Sequence, residues 1–467
     1  MWPCIHDTLN IPVYFPKKIH VCMLDVPHTT LPPHDDQQQE HRRQQMEMKQ
    51  RATIPKTWPG QDKYKFADPQ NPEVLGMGTY GTVFAAVAVR DGQRVAIKRI
   101  EGVFDSKRAV TCARREIRLN TRFAERALAG RGRQPVVRMI EAMLDKDDES
   151  IYLVFERMDK TLAKLGRLPP DDAIRIAREL IRCTAEMHAA RVVHRDLKPQ
   201  NVLASADGEG HQVAICDLGM ARMFDDRSTD FEGWTDYVTS RWYRTPEVMC
   251  QCRPPSADME TEANAKEETE ANAMHADMWS IGCIFAELLY GEPIMKGISE
   301  ADQLSRIAVA LGPMDDATFD WYMRRATDEE KIVPFLCEQG SVTSHIAYRL
   351  AKRCSNIHAA INLVCRLLDL MPSRRPTASE ALRHPVFDGV SPVVEAVQQA
   401  DEADDDVKAC EPAFPGDDFT EALSQTERNE AMAMLLHDIG ISGRKRLQKE
   451  TERPSGHPLL VLADCCL

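Results

Sequence analysis

Residues 192 to 203 read VVHRDLKPQNVL. A polar cluster, His194, Arg195, Asp196, Lys198 and Asn201, stands between short apolar runs. Flanking strands of that kind place one carboxylate at the base of a cleft. Asp196 can there accept or orient the proton of an attacking hydroxyl. Lys198 can neutralise a transferred phosphoryl group, and Asn201 can hold a metal ion. A salt-bridged turn between strands needs no such specific string.

Working outward, "VAICDLGMAR" offers Asp217 at the end of a second apolar strand, where a carboxylate can bridge Mg²⁺ to phosphate oxygens. Upstream lies Gly76-Met-Gly78-Thr-Tyr80-Gly81-Thr-Val83, between two strand-like runs. Glycines let a hairpin backbone bend closely over phosphates and present N–H groups to them. A dinucleotide site would need a helix directly after the third glycine, and "TVFAAVAV" reads as strand. Next comes Val95-Ala96-Ile-Lys98, an apolar strand ending in a lysine that needs a partner. Glu116 in the following charged, helix-prone stretch can supply it, giving a Lys–Glu pair that orients the α- and β-phosphates of a nucleotide.

The 467 residues suffice for one large bilobal domain or two to three smaller ones. A net charge of −13 argues against bulk nucleic-acid binding, which depends on clustered cations. The fourteen cysteines form no repeated CxxC or Cys/His block, so reduced thiols are expected, with the chain in the cytoplasm, the nucleus or both. No signal peptide and no run of about 18 apolar residues stands out, so no membrane partner is expected.

Residues 1–68 hold Pro, His and Gln clusters without an apolar period and read as a flexible extension. Residues 69–388 read as one α+β domain, with a β-rich lobe to about 157 and a helical lobe from about 158. An acidic insert near 250–275 carries "ETEANA" twice, at 260–265 and 268–273, and reads as a disordered loop. Residues 389–467 form a C-terminal extension. It holds the acidic run "DEADDDVKAC" and a helical stretch, "TEALSQTERNEAMAMLLHDI", that could return to the β-rich lobe.

In this order, these strings resemble the signature of eukaryotic protein kinases: G-x-G-x-x-G-x-V, V-A-I-K, a helical Glu, H-R-D-L-K-P-x-N, D-x-G and P-E. The resemblance implies a bilobal kinase fold using ATP and Mg²⁺. Asp196, Lys198, Asn201 and Asp217 would be catalytic, with Asn201 and Asp217 also holding the metal. Gly76, Gly78, Tyr80, Gly81, Val83, Ala96, Lys98 and Glu116 would line the nucleotide. Phe155 would guard the back of the adenine pocket, and Glu156 C=O and Met158 N–H would bond the adenine edge. Asp277 would brace the catalytic loop, and Arg375 would pair with Glu247. Two positions depart from the pattern: Leu218 stands where the family usually has Phe, and Thr161 where an Asp often approaches the ribose.

"GWTDYVTSRWYRTPEV", residues 233–248, resembles mitogen-activated protein kinases. That implies a proline-directed Ser/Thr kinase switched by phosphorylation of Thr235 and Tyr237. Arg115, Arg195 and Arg222 would meet the first phosphate, and Arg241 and Arg244 the second. Protein substrates with Ser/Thr-Pro sites, an upstream dual-specificity kinase and phosphatases are the implied partners, docking at Asp404, Asp405 and Asp406. Cyclin-dependent-kinase-like and male-germ-cell-associated-type kinases share T-D-Y, and a catalytically weak scaffold is a third reading.

Overall fold

The β-prone runs before residue 157 pair as one antiparallel sheet in the computed structural model. It describes residues 54–55, 57–78, 81–207, 210–224, 241–252, 262–332, 345–353, 357–389 and 423–452. β1 (Tyr64–Lys65) and β2 (Val74–Gly78) share one edge of β3 (Gly81–Ala88), followed by β4 (Arg94–Ile100). The hairpin of β5 (Met139–Asp145) and β6 (Ser150–Glu156) completes it, with β6 against β4. The polar "RDGQR" turn between β3 and β4 uses Gly92 at φ 75°, which glycine adopts without steric cost. α1 (Lys107–Leu128) crosses one face, capped by Ser106, whose hydroxyl accepts the Ala109 N–H at 3.2 Å. Its Val110, Ala113 and Ile117 bury against Ile100, Val103, Phe104, Ile151 and Leu153.

On the other face lies the last stretch of residues 1–68, read from the sequence as a flexible or peripheral extension and here docked on the sheet. Trp58 and Tyr64 are buried with Val95, Ile97, Tyr152 and Val154. Tyr64 and Lys65 pair with Ala88 and Val87 as an edge strand. A two-residue strand carries no period to read, yet two aromatic rings supply ample apolar area to dock it.

From residue 158 helices dominate. They are α2 (Pro170–Ala189), the short α3 (Pro246–Met249), α4 (Glu262–Tyr290), α5 (Glu300–Leu311), α6 (Asp316–Arg325), α7 (His345–Arg353), α8 (His358–Leu367) and α9 (Ala378–Ala381). α4 runs through the lobe's core, with Met278, Trp279, Ile281, Ile284 and Phe285 all fully buried. Two small sheets lie on this lobe. β7 (Lys160–Thr161) and β10 (Gly210–Ile215) flank β9 (Val202–Asp207), and β8 (Val192–Val193) pairs with β11 (Arg222–Met223).

The acidic insert corrects its reading as a disordered loop. Its second "ETEANA" copy is helical, because α4 begins at Glu262 and continues unbroken into "MWSIGCIFAELL". Thr269 and Ala273 are buried, Glu268 pairs with Arg325 at 3.0 Å, and Glu270 pairs with Arg191 at 2.7 Å. Ala, Glu and Lys are good helix formers, and joining an already packed helix removes the nucleation cost. Residues 253–261 lie outside the described ones. In the C-terminal extension, α10 (Gln425–Glu452) buries Ala431 and Leu435 against α1, and Leu423 just before it joins the same cluster.

Candidate active site

The glycine hairpin differs from glycine to glycine in what it demands. Gly81 sits at φ 129°, and a Cβ there would stand 2.1 Å from the Arg99 carbonyl oxygen, so this glycine serves the fold. At Gly76 and Gly78 nothing among the described residues beyond the chain neighbours lies within 4 Å of an added Cβ. The protein's own packing gives no reason for them, and the open backbone suits a phosphate chain. Tyr80 lies outside the described residues.

On β4, Lys98 is cross-strand from Val83 and Leu153, and Ala96 from Phe155. Lys98 Nζ donates to Glu116 Oε2 at 2.7 Å and Oε1 at 2.9 Å, and to Asp217 Oδ1 at 2.9 Å. Burial alone would lower the pKa of the lysine. The Asp217 and Glu116 carboxylates outweigh it and hold the ammonium charged. For Asp217, burial pushes upward, but Lys98 pulls harder and keeps the carboxyl below its ordinary value. One cation thus joins the sheet, α1 and the helical lobe.

Asp217 and Arg195 both have left-handed backbones, at φ 65° and 68°. Non-glycine residues there are uncommon and cluster at functional sites. The Cys216 N–H donates to the Asn201 carbonyl at 2.9 Å, placing the Asp217 strand beside the catalytic loop. Asn201 Nδ2 donates to the Asp196 carbonyl at 2.9 Å and to its Oδ2 at 3.0 Å. Both bonds use the amide nitrogen, so the amide oxygen, a hard ligand, is not engaged by Asp196. Lys198 Nζ lies 2.7 Å from Asp196 Oδ2. Burial nevertheless pushes the Asp196 carboxyl above its ordinary pKa, with the Lys198 charge offsetting only part. Asp277 accepts the N–H groups of His194 at 2.8 Å and Arg195 at 2.9 Å, and His188 Nε2 lies at 3.1 Å. This fixes the loop from below.

Residues 70–387 match the protein kinase domain family. The chain belongs to that family. It is 35% identical over 328 residues to mitogen-activated protein kinase 16 of Oryza sativa subsp. japonica, covering 68% of this chain and 58% of that protein. It is 36% identical over 327 residues to mitogen-activated protein kinase 12 of the same organism, covering 68% and 50%. With mitogen-activated protein kinase 15 of Arabidopsis thaliana the identity is 32% over 387 residues, covering 78% and 61%. The chain thus spans between half and about three fifths of these relatives' own length.

The kinase hinge follows β6. Phe155 and Glu156 are half-buried at its end, the Glu156 N–H donates to the Arg138 carbonyl at 3.0 Å, and Met158 is half-buried beyond. Leu218 is fully buried among Leu119, Phe123 and Ile215, so leucine fills the place usually held by Phe. Arg375 makes a two-bond pair with Glu247, at 2.7 and 2.8 Å.

The five arginines expected to meet the two phosphates are spread over four segments. Arg115 on α1 donates to the Gly219 carbonyl at 2.7 Å, Arg195 lies in the catalytic loop, and Arg222 in β11 pairs with Val193. Arg241 donates to the Ile298 carbonyl at 2.8 Å, and Arg244 to Glu300 at 3.2 Å. Thr235, Tyr237, Asp404, Asp405 and Asp406 lie outside the described residues.

Sequence reasoning passed over two bridges across the cleft. Lys164 Nζ donates to the Leu75 carbonyl at 2.9 Å, which holds β2 to the segment after the hinge, and Arg157 in the hinge pairs with Glu73, just before β2, at 3.1 Å. Lys164 stood in no motif, and no sequence signal marks a donor whose acceptor is a backbone carbonyl; Arg157 stood between Glu156 and Met158, but nothing in the sequence named Glu73 as its partner. Asp438 was missed too. Its signal was present: one acid within the apolar "LLHDI".

Proposed function

We propose that this chain is an ATP- and Mg²⁺-dependent, proline-directed protein serine/threonine kinase of the mitogen-activated type, switched on at Thr235 and Tyr237. One observation carries the reading: Glu116, Lys98 and Asp217 form a single ion-paired set, joined through Cys216 and Asn201 to Asp196.

The residues fit the nucleotide and the metal. Gly76 and Gly78 offer open backbone, Lys98 a buried charge, and Asp217 and Asn201 hard oxygen ligands. Bound Mg²⁺ supplies charge neutralisation at the phosphate oxygens. Lys98, held by Glu116, orients the phosphates, while Glu156 and Met158 present backbone to the adenine edge. Asp196 takes the proton of the acceptor hydroxyl, and Lys198 steadies charge on the moving phosphoryl group.

Lys198 beside Asp196 and Ser240 in the loop support a Ser/Thr acceptor, and Arg244 in "RWYRTPE" supports selection of the following proline. Five arginines against two acceptors support the dual switch. Similarity to proteins named mitogen-activated protein kinases agrees with it. An upstream dual-specificity kinase and phosphatases docking at Asp404, Asp405 and Asp406, in the cytoplasm or nucleus, complete the proposal.

The chain, phosphorylated at both positions, is incubated with Mg²⁺, ATP and Ser-Pro or Thr-Pro peptides. Transfer that Asp196→Asn abolishes is expected, with nucleotide binding retained. A doubly phosphorylated chain that transfers nothing sinks the reading, and binding without turnover points to a scaffold.

A further inference from the structure

α10 lies on the outer face of α1, the helix that carries Glu116. Its start is fixed by a reciprocal cap: the Ser424 N–H donates to Glu427 Oε2 at 2.9 Å, and the Glu427 N–H to Ser424 Oγ at 3.4 Å. From there the inward stripe runs Ala431, Leu435, Asp438, at helical spacing. The first two are fully buried with Val110, Ala113 and Ile117. The third position of the same stripe holds a carboxylate, and its side chain is only 2% exposed.

Asp438 Oδ2 accepts from Arg114 Nε at 2.7 Å, and Oδ1 lies 3.8 Å from Arg118 Nε. Arg114 and Arg118 are one turn apart, and Glu116 lies midway between them in sequence, towards the opposite face of α1. Lys107–Glu427 at 3.0 Å and Arg428–Glu149 at 2.8 Å fasten the rest of α10. On the cleft side, Arg115 donates to the Gly219 carbonyl at 2.7 Å.

A buried ion pair adds little net stability over an apolar residue, because desolvation offsets the attraction. What it adds is one geometry: an apolar stripe can slide by fractions of a turn, and a carboxylate between two guanidinium groups cannot. We propose that Asp438 is a positioning residue for Glu116. Its pairing with Arg114 and Arg118 fixes the rotation and depth of α1, so the C-terminal helix sets how well the Lys98–Glu116 pair receives a nucleotide. This rests on the reading of that pair as the orienter of phosphates.

The test uses the full chain, a fluorescent ATP analogue with Mg²⁺, and amide hydrogen exchange over residues 107–128. Asp438→Asn should weaken binding of the analogue about tenfold and speed exchange in α1, while Asp438→Glu recovers most of both. Arg114→Gln, which leaves Arg118 in place, should act in the same direction more weakly and covers the case in which Asp438→Asn does not fold. In a Glu116→Gln background the Asp438→Asn change should weaken binding no further. Additive losses would mean a structural role only and overturn the proposal, as would unchanged binding. If the native chain binds no nucleotide, the reading of the cleft fails instead. Exchange in α1 then decides, and unaltered exchange overturns the proposal.

Discussion

Arg375→Met is the sharpest perturbation of the helical lobe. The Arg375 side chain has no exposure to solvent, and Glu247 is 7% exposed. The guanidinium donates twice to Glu247, once to the Asp369 carbonyl at 2.8 Å and once to the His275 carbonyl at 3.2 Å. It also stands 4.9 Å from the Trp279 ring centroid. Methionine keeps much of the volume but removes every one of these bonds. Glu247 is then left buried, with the Tyr322 hydroxyl at 3.4 Å as a poor substitute. Removing one partner of a buried pair costs about 3–5 kcal/mol, chiefly the stranded charge. By the scaling for domains of 150–250 residues, the melting point should drop by roughly 10 °C. Equilibrium urea unfolding at 25 °C measures the loss directly. The double variant Arg375→Met/Glu247→Met should recover most of it, since no charge is then stranded. A single variant losing under about 1 kcal/mol, the level of an exposed pair, would refute the reasoning. So would a double variant as unstable as the single.

Three further outcomes are expected. Gly81→Ala should cost roughly 1–3 kcal/mol from its strained φ and clash, whereas Gly78→Ala should leave the urea midpoint unmoved and weaken only nucleotide binding. Equal midpoints for the two variants would contradict this. With Asp196 as the proposed base, the raised pKa that burial gives its carboxyl should set the acid limb of phosphoryl transfer. The carboxylate forms as pH rises through that value, so the limb should lie above the ordinary aspartate pKa of about 4, and a pH–rate profile with its limb at or below that value argues against Asp196 as the base. Asp277 is the opposite case: burial pushes its pKa up, but His188 and the loop N–H groups win and lower it. Its contribution is complete at neutral pH and is lost as pH falls through the lowered value. Stability measured against pH should therefore lose part of its acid limb in Asp277→Asn.

The chemistry was legible because it lies in short strings. Asp196, Lys198, Asn201 and Asp217 sit in two short strings, and the structure brings the two strings together through the Cys216–Asn201 bond. Lys98 with Glu116 was legible for a related reason: a strand-end lysine in an apolar run requires a carboxylate, and the next helix offers one. What escaped was set by long-range docking. Trp58 and Tyr64 precede the glycine hairpin in a stretch with no period, and only the sheet's far face gives them a place. The second "ETEANA" has no apolar stripe of its own, so its helix depends on the apolar stretch that follows and on Arg191 and Arg325. Lys164 reaching the Leu75 carbonyl leaves no trace in either residue type.

Leu218 shows how the two levels meet. A smaller apolar residue after Asp217 still has to be covered, and here it is. Leu218 is fully buried against Leu119 and Phe123, and a Cβ at Gly219 would stand 3.5 Å from the Cys112 side chain. Arg115 closes the same contact through the Gly219 carbonyl. In this arrangement Glu116 reaches Lys98 while Lys98 also reaches Asp217, whose backbone is left-handed. Leucine is therefore compatible with the closed arrangement: it is fully buried while Lys98 keeps both carboxylates. The surface of α1 facing away from the cleft is the one that α10 grips.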